Sequence, residues 1–358
     1  MNPIDAARHV LLAAIASRLF PAAAVEAGDR HGVLWRDAYG TRRFDDAGAP
    51  ATDATPFDLA SLTKVIATTT VVMQLVHDGI LRLDEPVESF FPVWRGADRE
   101  AATVADLLDH ASGLPARLLD RPPAGRREFE HDICTMPLEY PTRAASLYSD
   151  LGFILLAFAA ADRGGGSLDQ QFASVWERLC GADPAVAPAT LGFVLREAER
   201  RSAAPTLPLD EDLRRGRFLS GEVHDHYAAA LGGVAGHAGM FGTAAAVGGF
   251  ARTVLRAHEG ERTMPPFSRD LLRRFLAKST VPGSSRALGW DTMLPTSSCG
   301  TRMTAAAVGH VGFTGTSLWI DPGRDRYFVL LTNRACGGGS TDHMRIVRRA
   351  FHDALGDL

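Results

Sequence analysis

Asp58-Leu59-Ala60-Ser61-Leu62-Thr63-Lys64 is the stretch from which the rest of the chain is best read. It holds one of only two lysines in the sequence, against 36 arginines. Where a positive charge alone is wanted this chain uses arginine, so a retained lysine points to a compact amine whose pKa can be moved. On a helix, a spacing of three sets Ser61 and Lys64 on one face about one turn apart, where the amine can help to deprotonate the hydroxyl. The pattern is short, and with 18 serines in 358 residues about one such chain in ten carries it by chance. Ser61 also stands where an N-cap serine would stand, ahead of an apolar helical run over 65–77. Chemistry therefore needs further elements, brought to the same place by the fold.

Composition narrows the field first. The chain is 46% hydrophobic and 22% charged, with a net charge of −4. That is a globular composition without an electrostatic case for nucleic acid or a membrane surface, and a small-molecule or peptide substrate fits it better. The length suits one elaborate domain or two closely joined lobes. Cys134, Cys180, Cys299 and Cys336 are scattered, so neither a disulfide framework nor a structural zinc is expected. The apolar run 10–16 has the look of a signal-peptide core, yet Asp5 lies in the would-be basic region and Arg18 interrupts the run. Ile4, Leu11, Leu12, Ile15 and Leu19 recur at helical spacing, so the expectation is an amphipathic docking helix in a cytoplasmic protein without a cleaved signal. No apolar run reaches the length of a membrane span.

Both ends of the chain read as antiparallel sheet. Strands over 24–27 and 33–39 flank Gly28-Asp29-Arg30-His31-Gly32, and strands over 317–320 and 327–331 flank Asp321-Pro322-Gly323-Arg324-Asp325. A closing helix over 341–355 puts Met344, Phe351 and Leu355 on one side. The middle is helical. The 65–77 helix is ended by Gly79, Thr103 and Asp106 open another in a capping-box pattern, and a third over 151–162 is closed by Gly164-Gly165-Gly166. Residues 196–222 read as a polar surface excursion, and a further helix spans 244–257.

Two more stretches carry chemistry. Tyr148-Ser149-Asp150 places a phenol and a carboxylate two residues apart; a lysine ammonium nearby would favour the phenolate, a base strong enough for a serine proton. Alone it reads equally as a turn whose aspartate caps the next helix. Gly309-His310-Val311-Gly312-Phe313-Thr314-Gly315-Thr316 is a glycine-punctuated strand, against which a ligand backbone can lie closely. Alone it reads as a sheet strand with a bulge.

Together the three stretches resemble the serine β-lactamase and penicillin-binding protein superfamily, with its Ser-x-x-Lys, Tyr-x-Asn and Lys-Thr-Gly signature. Their order and separations are similar to the class C β-lactamase branch, which includes D-Ala-D-Ala carboxypeptidases, aminopeptidases and esterases. His110-Ala111-Ser112-Gly113-Leu114-Pro115 and the run from Thr314 to Pro322 extend the likeness, which covers residue 23 to the C-terminal helix. The resemblance implies an α+β, β-lactamase/transpeptidase-like fold, an antiparallel sheet flanked by terminal helices plus a mostly helical lobe, with the site in the cleft between. The chain is expected to be one such domain over 1–358, its α/β lobe at 1–58 and 286–358 and its helical lobe at 59–285. By the same resemblance Ser61 is the acylated nucleophile, Lys64 lowers the cost of deprotonating it, and Tyr148 is the general base. The N–H groups of Ser61 and Phe313 would form the oxyanion hole, with His310, Gly312, Thr314 and Asp150 beside the substrate.

Two positions depart from the family pattern. Asp150 stands where asparagine is usual, which favours Lys64 as a fixed ammonium over a neutral base. His310-Val311 replaces the lysine and threonine that hold a substrate carboxylate, so carboxylate anchoring weakens unless an arginine elsewhere supplies it. The expectation is a serine hydrolase acting on peptidoglycan-type peptides, small esters or β-lactams, with weak β-lactamase activity; the rival is a catalytically idle ligand sensor. Gly221-Glu222-Val223-His224-Asp225-His226 suggests metal at first sight, but alternate spacing lacks a third distant ligand. No metal or other cofactor is expected; His224 and Asp225 are assigned to supporting the site, and His77, His110 and His131 to structure or surface.

Overall fold

The computed structural model describes residues 2–45, 49–118, 122–182, 189–261 and 264–358. Helix α1 (Pro3–Ala16) starts at Asn2, whose side chain accepts the Asp5 N–H at 2.8 Å, and leads into the hairpin β1 (Ala22–Gly28) and β2 (Val33–Gly40). A small sheet of order β3-β5-β4 lies in the middle of the chain, from β3 (Phe57–Asp58), β4 (Leu191–Gly192) and β5 (Phe241–Gly242). The closing strands are β6 (Asp291–Thr292), β7 (Val308–Val311), β8 (Ser317–Asp321) and β9 (Arg326–Thr332). With the first hairpin they make an antiparallel sheet of order β2-β1-β9-β8-β7-β6, so the two chain ends meet where β1 pairs β9. The intervening helices are α2 (Thr69–His77), α3 (Val104–Leu108), α4 (Arg126–Thr135), α5 (Asp150–Gly164), α6 (Leu168–Ala182), α7 (Glu197–Ser202), α8 (His226–Ala230), α9 (Ala244–Glu259) and α10 (Arg269–Leu276), and α11 (Thr341–Ala354) ends the chain.

Strand parity sorts the main sheet's side chains into two cores. Ala23, Val25 and Ala27 of β1 pack with Phe328 and Leu330 of β9 against Leu11 of α1 and Met344 and Phe351 of α11. Ala22 and Ala24, with Val329 and Leu331, face the opposite way, onto Val247, Phe250 and Val254 of α9. Successive side chains of a strand point to opposite faces, so the sheet is a middle layer. Each fully buried Val, Leu or Phe in it contributes roughly 1.5–3 kcal/mol. Helix α9 thus packs on the sheet, although it falls within the segment that the sequence assigns to the helical lobe. Glu26, on the α9 side of β1, is fully buried but compensated: Arg252 reaches it at 2.8 Å, Arg36 at 2.6 Å and the Tyr327 hydroxyl at 2.7 Å.

The helix caps follow the sequence. Asp106 accepts the Thr103 N–H at 2.8 Å at the start of α3, and α5 ends at Gly165 with φ 73°. Two elements differ. The helix expected over 65–77 includes one π-helical turn, Lys64–Thr68, before α2 begins; such wider turns are frequent at functional sites. The excursion over 196–222 is also less superficial than its polarity suggests. Ala203, Ala204 and Leu219 are buried, and the Leu207 N–H donates to Ala335 O at 2.7 Å.

Candidate active site

The site begins where β3 ends. Asp58 is buried, and its carboxylate accepts the N–H of Ala60 at 2.8 Å and that of His224 at 2.6 Å. Ala60 is drawn into the left-handed region at φ 47°, a conformation that costs a non-glycine residue about 1–3 kcal/mol and persists where the surroundings enforce it. Ser61 follows at the head of the π turn. Its Oγ accepts from the Tyr148 hydroxyl at 2.7 Å and from Lys64 Nζ at 3.2 Å.

Lys64 is fully buried, and its other two ammonium protons go to Asp150 Oδ1 at 2.6 Å and His237 O at 3.1 Å. All three donors are therefore used. Burial, the largest single influence, works against the charge, but Asp150 and Tyr148 together outweigh it and hold Lys64 above the ordinary range. The phenol of Tyr148 is raised by burial and then by Asp150, with Lys64 pulling less strongly the other way. The resting site thus holds an ammonium and a neutral phenol, whereas the sequence reading had the ammonium favouring a phenolate; burial first, and the Asp150 carboxylate second, keep the phenol protonated. Asp150 also accepts Arg117 Nε at 3.2 Å, Arg117 reaches Asp225 at 3.6 Å, and Asp225 meets His237 Nε2 at 2.8 Å. From Lys64 through Asp150 and Arg117 to Asp225, charges alternate away from the nucleophile.

The third side is β7 and the turn after it. His310 is buried, with Nδ1 against Val311 O at 2.9 Å and Nε2 unpartnered among the described residues. Burial, then Lys64 and Arg286, push its pKa well below the usual imidazole range, so it brings no positive charge. A Cβ on Gly312 would stand 2.1 Å from Thr316 Oγ1 and 2.7 Å from Leu59 O, which makes glycine a requirement of the close approach between this turn and the nucleophile segment. Among the described residues the backbone N–H groups of Ser61 and Phe313 donate to no protein acceptor.

A cleft of about 320 Å³ joins these groups: Ser61, Tyr148, Asp150, His310, Gly312 and Phe313 line it, together with Arg117, Arg286, Arg334 and Arg348. Thr314 does not reach it; its hydroxyl is buried and donates to Asp58 O at 2.8 Å. His224 lies beside the cleft, its ring centroid 5.2 Å from that of Phe313, while Asp225 turns to His237. His110 packs behind Tyr148 at 4.9 Å between rings and accepts the Ser149 N–H on Nδ1 at 3.0 Å; His77 and His131 are exposed. The arginines are what sequence reasoning missed, because nothing local distinguishes four among 36. Arg286 is the least committed of them, 5.4 Å from the Tyr148 ring centroid and in a loose ion pair with Asp291 at 3.8 Å.

Known proteins share the family and the fold of this chain. The Beta-lactamase family model matches residues 13–351. A putative D-alanyl-D-alanine carboxypeptidase of Escherichia coli K12 is 28% identical over 338 residues, 84% of this chain and 76% of that protein. An N-acetylmuramyl-L-alanine amidase of Bacillus subtilis strain 168 is 30% identical over 303 residues, 78% of this chain and 68% of that protein. The crystal structure of a class C β-lactamase from Rhodobacter sphaeroides superposes with a TM-score of 0.74, covering 98% of each chain, and at 19% identity this likeness is one of fold. The chain belongs to the β-lactamase family, a family of serine hydrolases.

Proposed function

We propose that the protein hydrolyses its substrates through an acyl-enzyme on Ser61, with D-alanyl-type peptides and small esters as good acyl donors and β-lactams as poor ones. The observation that carries this reading is the double contact of Ser61 Oγ with Tyr148 at 2.7 Å and Lys64 at 3.2 Å. The attack runs from the fraction of enzyme in which Tyr148 has released its own proton to solvent: Ser61 Oγ bonds to the substrate carbonyl carbon and its proton passes to the Tyr148 phenolate, beside the Lys64 ammonium. The carbonyl π pair moves to oxygen, where the N–H groups of Ser61 and Phe313 receive the charge. Collapse expels the leaving group, which takes the proton back from Tyr148. Water then repeats the sequence and frees Ser61.

The substrate class rests on the cationic wall and on its one neutral member. With His310 uncharged, the guanidinium of Arg286 is the group suited to a substrate carboxylate, and relatives named as carboxypeptidase and amidase support a peptide of cell-wall type. Comparing kcat/KM for p-nitrophenyl acetate, a blocked peptide ending in D-Ala-D-Ala, and nitrocefin tests the assignment. Ester and peptide are expected to exceed nitrocefin; nitrocefin as the best of the three overturns it.

A further inference from the structure

Two buried arginines stand against the turn that carries Phe313. Arg348, on the inner side of α11, donates through Nη2 to Gly312 O at 2.6 Å and Thr316 O at 2.8 Å. Arg334, just beyond β9, donates to Phe313 O from Nη2 at 2.5 Å and from Nε at 3.1 Å, and its guanidinium lies 4.7 Å from the Phe313 ring centroid. Each is only 7% exposed. Among the described residues neither makes an ion pair, and Arg348 Nε has no hydrogen-bond partner. The other cations around the cleft do have carboxylates: Lys64 and Arg117 share Asp150, and Arg286 has Asp291. Holding a guanidinium in the interior without an anion is costly, and such a charge needs a reason to be kept.

The reason lies in which carbonyl Arg348 grips. Gly312 O and the Phe313 N–H are the two ends of one peptide unit. A cation bonded to the oxygen end draws electron density from the nitrogen end and strengthens that N–H as a donor. Arg334 grips the next carbonyl along, so Phe313 is held on both sides. Burial, and then Arg334, push Arg348 down to about 9, as expected for a charge that the resting site leaves without a counter-ion; it remains protonated at neutral pH.

We propose that Arg348, with Arg334 fixing the far side of Phe313, is a positioning residue that orients and polarises the Phe313 N–H, the tetrahedral oxyanion being the counter-ion both guanidiniums lack at rest. The inference rests on the acyl-enzyme reading of Ser61 and deepens it. Its consequence is selectivity for the transition state: the field is directed where charge develops, so ground-state binding gains little.

The test uses Arg348→Met and Arg348→Lys in the full chain. Its readouts are kcat and KM for p-nitrophenyl acetate, affinity for a phenylboronic acid that forms a tetrahedral adduct with serine, and the melting temperature. Removing a direct oxyanion donor costs about 100- to 1000-fold in kcat, so weakening one should cost roughly 10- to 100-fold. Arg348→Met is expected to lose that factor in both kcat and boronate affinity, with KM within about twofold of wild type. Arg348→Lys, which keeps the charge but not the two-carbonyl reach, is expected to recover part of both. If the methionine variant does not fold, the lysine variant decides alone: a parallel fall in kcat and boronate affinity at constant KM supports the role. Unchanged kcat and boronate affinity in a folded variant overturns it, as does a rise in KM that accounts for the whole loss. A wild-type enzyme whose Ser61 accepts neither ester nor boronate defeats the acyl-enzyme reading itself, a distinct outcome.

Discussion

Replacing Asp150 with asparagine, the family's usual residue, is expected to raise hydrolysis at neutral pH while lowering stability. The Asp150 carboxylate lies no more than about 8.5 Å from the Tyr148 oxygen by way of Lys64 and Ser61. At an effective dielectric of about 20, one charge at that distance is worth roughly 2 kcal/mol. Removing it also leaves the phenolate as the anion nearest Lys64, so Tyr148 moves down in the same direction. The reactive form is the phenolate, so kcat/KM climbs with pH below the Tyr148 pKa and levels off above it. In the variant that plateau is reached at a lower pH, and by the roughly 2 kcal/mol above, activity at neutral pH rises about 10- to 30-fold. Breaking a buried ion pair costs about 3–5 kcal/mol when nothing replaces it; the asparagine carbonyl still accepts from Lys64, so the loss falls toward the lower end. The assay is kcat/KM for p-nitrophenyl acetate from about pH 6 to about pH 10, with melting temperatures alongside. A folded variant whose profile coincides with wild type, or shifts to higher pH, refutes the view that Asp150 restrains the phenol.

Other substitutions probe separate parts of the structure. His310→Lys restores a cation next to Ser61 and is expected to raise nitrocefin turnover at least about fivefold through carboxylate anchoring; no change would show that anchoring is not limiting. Gly312→Ala drives a methyl to 2.1 Å from Thr316 Oγ1 and 2.7 Å from Leu59 O, and is expected to cut acylation more than about 100-fold by moving the Phe313 N–H. Near-wild-type kcat would disprove that constraint. Asp109 has one buried carboxylate oxygen without a partner among the described residues, and burial, the largest influence, pushes it up to about 6. Its folded form therefore binds a proton more tightly than the unfolded chain does, and the penalty is absent at low pH and grows as pH rises toward 6. Allowing for partial exposure, Asp109→Asn is expected to add about 1–2 kcal/mol at pH 8 and almost nothing near pH 4. An equal effect on melting temperature at both pH values would contradict this.

Much of the architecture was legible because its signals are local. Turn residues such as Pro322 and Gly323 bound the terminal hairpins, and Thr103 with Asp106 marks the α3 start. Ser61, Lys64, Tyr148 and Asp150 were legible as motifs, and it is the fold that brings residues 87 positions apart into hydrogen-bond contact. Other features have no local signature. The π turn at Lys64–Thr68 is a hydrogen-bond pattern rather than a composition. Helices α4 and α10 are so rich in charge that their buried stripes shrink to a few residues, such as Phe129 and Ile133 or Leu272 and Phe275. Arg334 and Arg348 acquire significance only from the carbonyls they meet, and Thr314 is placed behind the cleft by its bond to Asp58.

Covalent capture at Ser61 tests the central claim most directly. The protein would be incubated with a fluorophosphonate, digested and mapped by mass spectrometry, with Ser61→Ala of unchanged melting temperature alongside. A single phosphonyl addition on the peptide that contains Ser61, absent from the alanine protein, is the expected result. No adduct on the folded protein, or an adduct on another residue that survives Ser61→Ala, would contradict it.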